Sequence, residues 1–220
     1  MRRSIFVPLC ETGPAKPGLG KRRRGRHGAP AVEAFLTSAV VVALAEMGDK
    51  TQLLAIVLTA RFRKPVPIVA GILLATIANH LLAAWVGAAA SEWLNSLWFR
   101  YAIALSFVGM GLWTLVPDKL DDEEAPKPAR YGAFLTTLVS FFLVEIGDKT
   151  QIATVALAAR YQEVWLVAAG TTAGMMLVNA PVVFAGAALI ERIPLKPVRI
   201  AAALLFIAIG AMMLWRLLHG

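Results

Sequence analysis

Long apolar segments separated by short polar ones fill the chain from about residue 32 to its end. Each segment reaches the length of roughly 20 residues that an α-helix needs to cross the hydrocarbon core of a bilayer. The pattern predicts six membrane-spanning helices, at residues 34–60, 66–90, 98–116, 132–158, 164–190 and 197–218. The predicted fold class is therefore an all-α membrane protein whose first partner is the lipid bilayer.

Composition agrees with this prediction and narrows the chemistry. The chain is 58% hydrophobic and 16% charged, which is too apolar for an ordinary soluble domain of 220 residues. Its single cysteine, Cys10, excludes an internal disulfide framework and a thiolate cluster for zinc, copper or iron–sulfur chemistry.

The net charge of +8 comes almost entirely from the first 31 residues. They hold 8 of the 22 Lys/Arg and 1 of the 14 Asp/Glu, so residues 32–220 carry 14 − 13 = +1. The charge therefore predicts no nucleic-acid partner. Residues 1–31 are rich in Gly and Pro and predict a disordered basic tail. The alternative is a mis-annotated start, because Val32 opens a natural first helix and valine codons can initiate translation.

The sequence repeats itself once, at an offset of 99 residues. The motif "EMGDKTQ" at 46–52 recurs as "EIGDKTQ" at 145–151, and Gly71 falls on Gly170. Each copy holds three predicted spans, and an odd number of spans makes the second copy enter the membrane from the opposite side. We predict two inverted three-helix repeats, 32–116 and 132–220, joined by the acidic linker 117–131.

The basic residues of the short loops predict the orientation. The loops after the first, third and fifth spans hold nine Lys/Arg, against Arg100, Arg160 and Arg216 on the other side. Because cytoplasmic loops carry the excess of Lys and Arg, the central linker is predicted in the cytoplasm, with both termini outside. The basic tail argues for the reverse. We follow the loops and predict a multi-pass protein of the bacterial cell membrane.

The duplicated motif places charges where a spanning helix has its middle. On a continuous helix, Glu46, Asp49 and Lys50 project from one face, and Gln52 is within reach if the segment is bent or unwound at Gly48. Each charge costs about 2.5–3.5 kcal/mol at the bilayer centre, so the charged groups are predicted to face one another or a watery cavity. Each motif carries a net charge of −1, and the two together carry −2. One divalent cation, or two protons, would neutralise that charge.

The candidate ligands are oxygen atoms, which suit hard cations such as Mg²⁺, Ca²⁺ and Mn²⁺. The predicted metal ligands are Glu46, Asp49, Gln52, Glu145, Asp148 and Gln151. The predicted supporting residues are Lys50, Thr51, Lys149, Thr150, Asn79 and Asn179. The two lysines are predicted as counter-charges to the carboxylates or as proton carriers. His80, which aligns with Asn179, is either a proton relay or a hydrogen-bonding link between helices.

The paired motif resembles the hallmark of the transmembrane protein 165 family, which includes Golgi manganese/calcium transporters and bacterial manganese exporters. The resemblance covers residues 32–218 and leaves the basic tail outside the family pattern. It implies antiport of a divalent cation against protons. It also implies that Glu46, Asp49, Glu145 and Asp148 are the acids that bind the metal and the protons.

The sequence thus predicts a transporter that exports Mn²⁺ from the cytoplasm in exchange for protons, with no resident cofactor. The main alternative is a Ca²⁺/H⁺ exchanger, and a non-transporting scaffold held by buried ion pairs is another. An intramembrane aspartic protease would need two acids without adjacent lysines, so an enzyme is not predicted. Assembly into a homo-oligomer is left open.

Overall fold

The computed structural model describes residues 28–91, 96–116, 132–186 and 195–219, and these residues form eight helices and no strand. The helices are α1 (Gly28–Glu46), α2 (Lys50–Phe62), α3 (Pro65–Ala90), α4 (Leu97–Thr114), α5 (Ala133–Glu145), α6 (Lys149–Tyr161), α7 (Val164–Ala185) and α8 (Leu195–His219). Three predicted spans, 66–90, 98–116 and 197–218, match α3, α4 and α8 to within two residues at each end. The all-α prediction is confirmed for this part of the chain.

Two predicted helices are wrong as continuous elements. The segment 34–60 is divided between α1 and α2, which are bent by 69° at the break, and 132–158 is divided between α5 and α6. Both breaks fall on the duplicated motif. Gly48 and Gly147 have φ of +79° and +77°, a conformation that glycine adopts readily and that an α-helix cannot contain.

Three helices, α3, α7 and α8, are long and apolar enough to cross a membrane, and α1 with α2 forms a fourth candidate if the bent pair counts as one span. The chain is thus a helical membrane protein, although this criterion gives fewer spans than the six predicted. The predicted span 164–190 corresponds to α7, which ends at Ala185. The end of this prediction, residues 187–190, lies outside the described residues. Residues 1–27 of the predicted tail and the linker 117–131 lie outside the described residues.

The two halves of the chain pack through equivalent contacts. A Cβ atom on Gly71 of α3 would lie 2.8 Å from the carbonyl oxygen of Phe134 in α5. A Cβ atom on Gly170 of α7 would lie 2.4 Å from the carbonyl oxygen of Phe35 in α1. Gly170 follows Gly71 by the repeat offset of 99 residues, and Phe35 precedes Phe134 by the same offset, so α3 meets α5 as α7 meets α1. The absence of a side chain lets each helix pair approach this closely.

One pair of equivalent glycines breaks this correspondence. A Cβ atom on Gly87 of α3 would lie 2.2 Å from the carbonyl oxygen of Val155 in α6. Its repeat equivalent, Gly186 at the end of α7, has nothing within 4 Å of the corresponding position in the described part of the chain. The short helix α6 therefore packs more closely against α3 at Gly87 than α2 packs against the end of α7 at Gly186.

Candidate metal site

The site is built where the two broken helices end and restart. Asp49 is the N-cap of α2 and accepts a hydrogen bond from the backbone N–H of Thr51, and Asp148 caps α6 through Thr150 in the same way, both at 3.4 Å. A carboxylate at this position satisfies an N–H group that the first turn of a helix leaves free. The chain thus starts a new helix inside the apolar segment and sets a buried carboxylate at its head.

This geometry corrects the prediction that Glu46, Asp49 and Lys50 project from one face of a continuous helix. Glu46 is the last residue of α1, whereas Asp49 and Lys50 begin α2. The positive φ of Gly48 turns the chain between them. The three side chains come close to the second motif because the chain bends there, not because of helical spacing.

The two glutamates occupy equivalent buried positions. Glu46 is fully buried and Glu145 is 1% exposed. The Thr51 hydroxyl donates a hydrogen bond to Glu46 at 2.5 Å, and the Thr150 hydroxyl donates one to Glu145 at 2.6 Å. In each carboxylate the other oxygen, Oε1 of Glu46 and Oε2 of Glu145, has no hydrogen-bond partner among the described residues. An acceptor oxygen buried in this way is available to a cation or a proton.

The lysines pair across the two motifs. Lys149 Nζ, from the second motif, lies 2.5 Å from Asp49 Oδ1, from the first. Lys50 Nζ, from the first motif, lies 3.8 Å from Asp148 Oδ1, from the second. The predicted counter-charge role thus takes a reciprocal form, in which each motif supplies the cation for the aspartate of the other. The two aspartate–lysine pairs balance in charge, so the excess of −2 rests on the two glutamates.

Three carboxylates come close enough to share one ion. An oxygen of Glu46, one of Glu145 and one of Asp148 all lie within 4.8 Å of one another. Oxygen ligands bind Ca²⁺ at about 2.3–2.6 Å, so two ligands on opposite sides of one ion are separated by roughly 5 Å. The spacing therefore fits a single hard divalent cation between the two motifs.

Comparison with known proteins identifies the family of the chain. The profile of the family described as "Divalent cation/proton antiporter GDT1" matches residues 34–122 and 133–220, one stretch for each copy of the repeat. The chain belongs to the GDT1 family. It is a membrane transporter of a divalent cation/proton antiporter family and not an enzyme, and the resemblance to the transmembrane protein 165 family is confirmed.

Curated relatives span bacteria and plants. The chain is 47% identical over 172 residues to a protein of Vibrio cholerae serotype O1 named "Putative manganese exporter", covering 77% of this chain and 84% of that protein. It is 28% identical over 216 residues to GDT1-like protein 5 of Arabidopsis thaliana, covering 81% and 94%. It is 27% identical over 202 residues to GDT1-like protein sll0615 of Synechocystis, covering 83% and 97%. No solved structure matches the chain significantly.

In this GDT1 chain the glutamines of the motif support the breaks. Gln52 Oε1 accepts a hydrogen bond from Gly48 N at 2.8 Å, and Gln151 Oε1 accepts one from Gly147 N at 2.7 Å. Each amide thereby holds the turn in which the glycine has its positive φ. An amide oxygen has two lone pairs, so the role of both glutamines as metal ligands stays a prediction.

The predicted supporting asparagines lie in the walls around the GDT1 motifs. Asn79 Nδ2 donates to the carbonyl oxygen of Phe142 at 3.1 Å, and Asn179 Nδ2 donates to that of Met175 at 3.2 Å. Both side chains are fully buried, and the Oδ1 atom of each has no hydrogen-bond partner among the described residues. Each asparagine therefore has a buried acceptor oxygen that makes no hydrogen bond to a described residue, which leaves its predicted supporting role a prediction.

His80 contacts the site more directly than the sequence indicated. Its Nε2 atom lies 3.5 Å from Glu145 Oε1, and the ring is fully buried in α3. This proximity joins α3 to α5, but neither ring nitrogen makes a hydrogen bond to a described residue, so the proton relay and the hydrogen-bonding link both stay predictions. The available signal was the alignment of His80 with Asn179, a position of this wall where the two copies differ in chemistry.

Proposed function

We propose that the chain exports Mn²⁺ from the cytoplasm in exchange for protons, using the paired glutamates as the exchange site. The observation that carries the proposal is the reciprocal pairing of Lys149 with Asp49 and of Lys50 with Asp148. It leaves an excess of −2 on the glutamates, which one divalent cation or two protons neutralise equally. A site that binds either the divalent cation or the protons, but not both at once, couples the transport of one to the transport of the other.

The proposed architecture has six spans in two inverted halves, 32–116 and 132–220. Each half contributes one span that is broken at the motif, then two continuous spans. Discontinuous helices that meet near the midplane are a recurring plan of secondary transporters. The equivalent contacts of Gly71 with α5 and of Gly170 with α1 support this symmetry. The Lys/Arg count of the loops supports a cytoplasmic linker at 117–131 and a bacterial cell membrane location.

We further propose that the short helices α2 and α6 exchange positions during transport. A Cβ atom on Gly87 would lie 2.2 Å from a backbone oxygen of α6, whereas a Cβ atom on the equivalent Gly186 would meet no atom of another described helix within 4 Å. In a molecule built of two equivalent halves, close packing of the short helix in only one half describes one of two equivalent states. In the other state α2 would be seated near Gly186 and α6 would be released, which opens the site to the opposite side.

His80 favours Mn²⁺ over Ca²⁺ as the substrate. Both ions bind oxygen ligands, but Mn²⁺, as a first-row transition metal, tolerates an imidazole nitrogen near its oxygen ligands better than Ca²⁺ does. The imidazole nitrogen Nε2, 3.5 Å from Glu145 Oε1, lies beside the all-oxygen cluster of Glu46, Glu145 and Asp148. The name of the Vibrio cholerae relative points to the same metal and to export. Ca²⁺/H⁺ exchange is the runner-up.

Everted membrane vesicles test the proposal. Respiration acidifies their interior, so a cytoplasmic exporter takes up Mn²⁺ from the medium. We expect uptake that collapses with a protonophore and that a tenfold excess of Ca²⁺ reduces by less than half. The control is Glu46→Gln, which keeps the side-chain volume and removes a charge of the exchange site. Uptake that persists with the protonophore would refute exchange, and equal competition by Ca²⁺ would refute the Mn²⁺ preference.

A further inference from the structure

Three arginines from three helices line one cavity of about 270 Å³ at one end of the bundle. Arg100 lies in the first turn of α4, Arg160 in the last turn of α6 and Arg216 in the last turn of α8. The rest of the described lining is apolar and consists of Ile103, Met213 and Leu217. The cavity is separate from the motif carboxylates, which do not line it.

The charge of this cavity has no counterpart within the described residues. None of their carboxylates lies within 4.0 Å of any of the three guanidinium groups, and Arg160 instead lies 5.1 Å from the centre of the Tyr161 ring. Three like charges around one space repel one another unless an anion lies between them. Guanidinium groups present planar pairs of N–H donors that match the oxygens of phosphate.

The aromatic residues near this cavity indicate its depth in the membrane. Trp98 lies two residues before Arg100, and Trp215 directly precedes Arg216; both side chains are 64% exposed. Trp165, at the start of α7, follows Arg160 across a short turn and is 75% exposed. Exposed tryptophans collect at the level of the lipid headgroups. The cavity therefore lies where headgroup phosphates lie.

We propose that this cavity binds a phosphate group, supplied by the headgroup of an anionic phospholipid. The three guanidinium groups hold the phosphate oxygens, and the apolar lining receives the start of the lipid chains. The bound lipid joins α4 of the first repeat to α6 and α8 of the second. This site shares no residue with the cation-exchange site proposed above.

Native mass spectrometry of the full chain in a neutral detergent tests the proposal. The probes are phosphatidylglycerol and phosphatidylcholine, which share acyl chains and differ in net charge. We expect the wild type to retain phosphatidylglycerol at least tenfold more tightly than phosphatidylcholine. The variant Arg100→Gln/Arg160→Gln/Arg216→Gln should lose that preference.

The matched control removes three positive charges outside the cavity, two between α2 and α3 and one near the start of α8. This variant, Arg63→Gln/Lys64→Gln/Arg199→Gln, should keep the preference for phosphatidylglycerol. Gln is tolerated at position 63 because the repeat equivalent, Gln162, has the same positive φ. Arg216→Gln alone serves if the triple variant does not fold, because that side chain is exposed, and it should weaken phosphatidylglycerol binding several-fold.

Inorganic phosphate distinguishes the source of the group. If millimolar phosphate raises the thermal midpoint of the wild type and of the control, but not that of the arginine variant, while neither lipid is preferred, the cavity binds phosphate from solution. The phosphate site then stands and the lipid assignment is overturned. Arginine variants that match the control with every probe would overturn the site itself.

Discussion

The reciprocal lysine–aspartate pairs make a prediction about charge that two double variants can test. Removing Lys149 alone, as Lys149→Gln, leaves Asp49 buried without the ammonium group of Lys149 and makes the charge of the site more negative, from −2 to −3. Removing both partners, as Asp49→Asn/Lys149→Gln, restores −2. We therefore expect the single variant to lose transport and stability, and the double variant to recover most of both.

The distances fix the expected order of magnitude. With an effective dielectric constant near 20, the attraction is about 7 kcal/mol at the 2.5 Å of the Asp49–Lys149 pair and about 4 kcal/mol at the 3.8 Å of the Asp148–Lys50 pair. Part of this is offset by the cost of burying the charges. Breaking a buried pair by removing one partner typically costs about 3–5 kcal/mol. Lys149→Gln is thus expected to lose stability in that range, and Lys50→Gln to lose less.

The second double variant is the contrast. Asp148→Asn/Lys50→Gln also restores the charge of −2, yet it removes a carboxylate that lies within 4.8 Å of Glu46 and Glu145. It should recover stability without recovering transport. The assays are thermal unfolding in detergent and Mn²⁺ uptake into proteoliposomes. Equal transport by both double variants, or none by either, would refute the division between a pairing aspartate, Asp49, and a metal-binding one, Asp148.

Three further predictions concern single positions. Glu145→Gln should fold, because it keeps the acceptor for Thr150, and should reduce Mn²⁺ uptake at least tenfold; uptake above half of the wild type would contradict its role. Gly170→Ala should lower the free energy of unfolding by about 1–3 kcal/mol, because its Cβ would meet a backbone oxygen at 2.4 Å. The control Gly109→Ala, whose Cβ would meet nothing within 4 Å among the described residues, should be neutral or slightly stabilising. Equal unfolding midpoints for the two variants would refute this account of packing. His80→Asn, which installs the residue of the equivalent position, Asn179, should reduce the Mn²⁺/Ca²⁺ preference several-fold in competition uptake, and an unchanged ratio would remove His80 from selectivity.

Much of the fold could be predicted because it follows from local patterns. The limits of α3, α4 and α8 follow from apolar segments bounded by polar loops, and the offset of 99 residues is visible by sliding the sequence against itself. The spans 34–60 and 132–158 were predicted as single helices, because an apolar segment of this length is typical of one helix, and a bend at Gly48 or Gly147 was considered only as a way to bring the glutamines within reach. The signal was present, since Gly followed by Asp and Thr combines a helix-ending residue with an N-cap.

The site could be predicted as a set of residues but not as a set of contacts. The predicted inverted repeat brings the two motifs together, and the side chains of the two motifs do meet in the structure. It could not show that Lys50 reaches Asp148 while Lys149 reaches Asp49, because that exchange depends on the relative orientation of two distant helix ends. For the same reason the loop count placed Arg100, Arg160 and Arg216 on one side without indicating that they share a cavity.

The central claim is that one buried site holds either a divalent cation or protons. Its most direct test is Mn²⁺ flux in proteoliposomes that contain the purified full chain and an imposed pH gradient. We predict that an acidic interior drives Mn²⁺ inward against its own gradient, that each Mn²⁺ entering moves protons outward, and that Glu46→Gln abolishes both fluxes together. Mn²⁺ flux of the same rate and extent with and without the pH gradient would contradict the account.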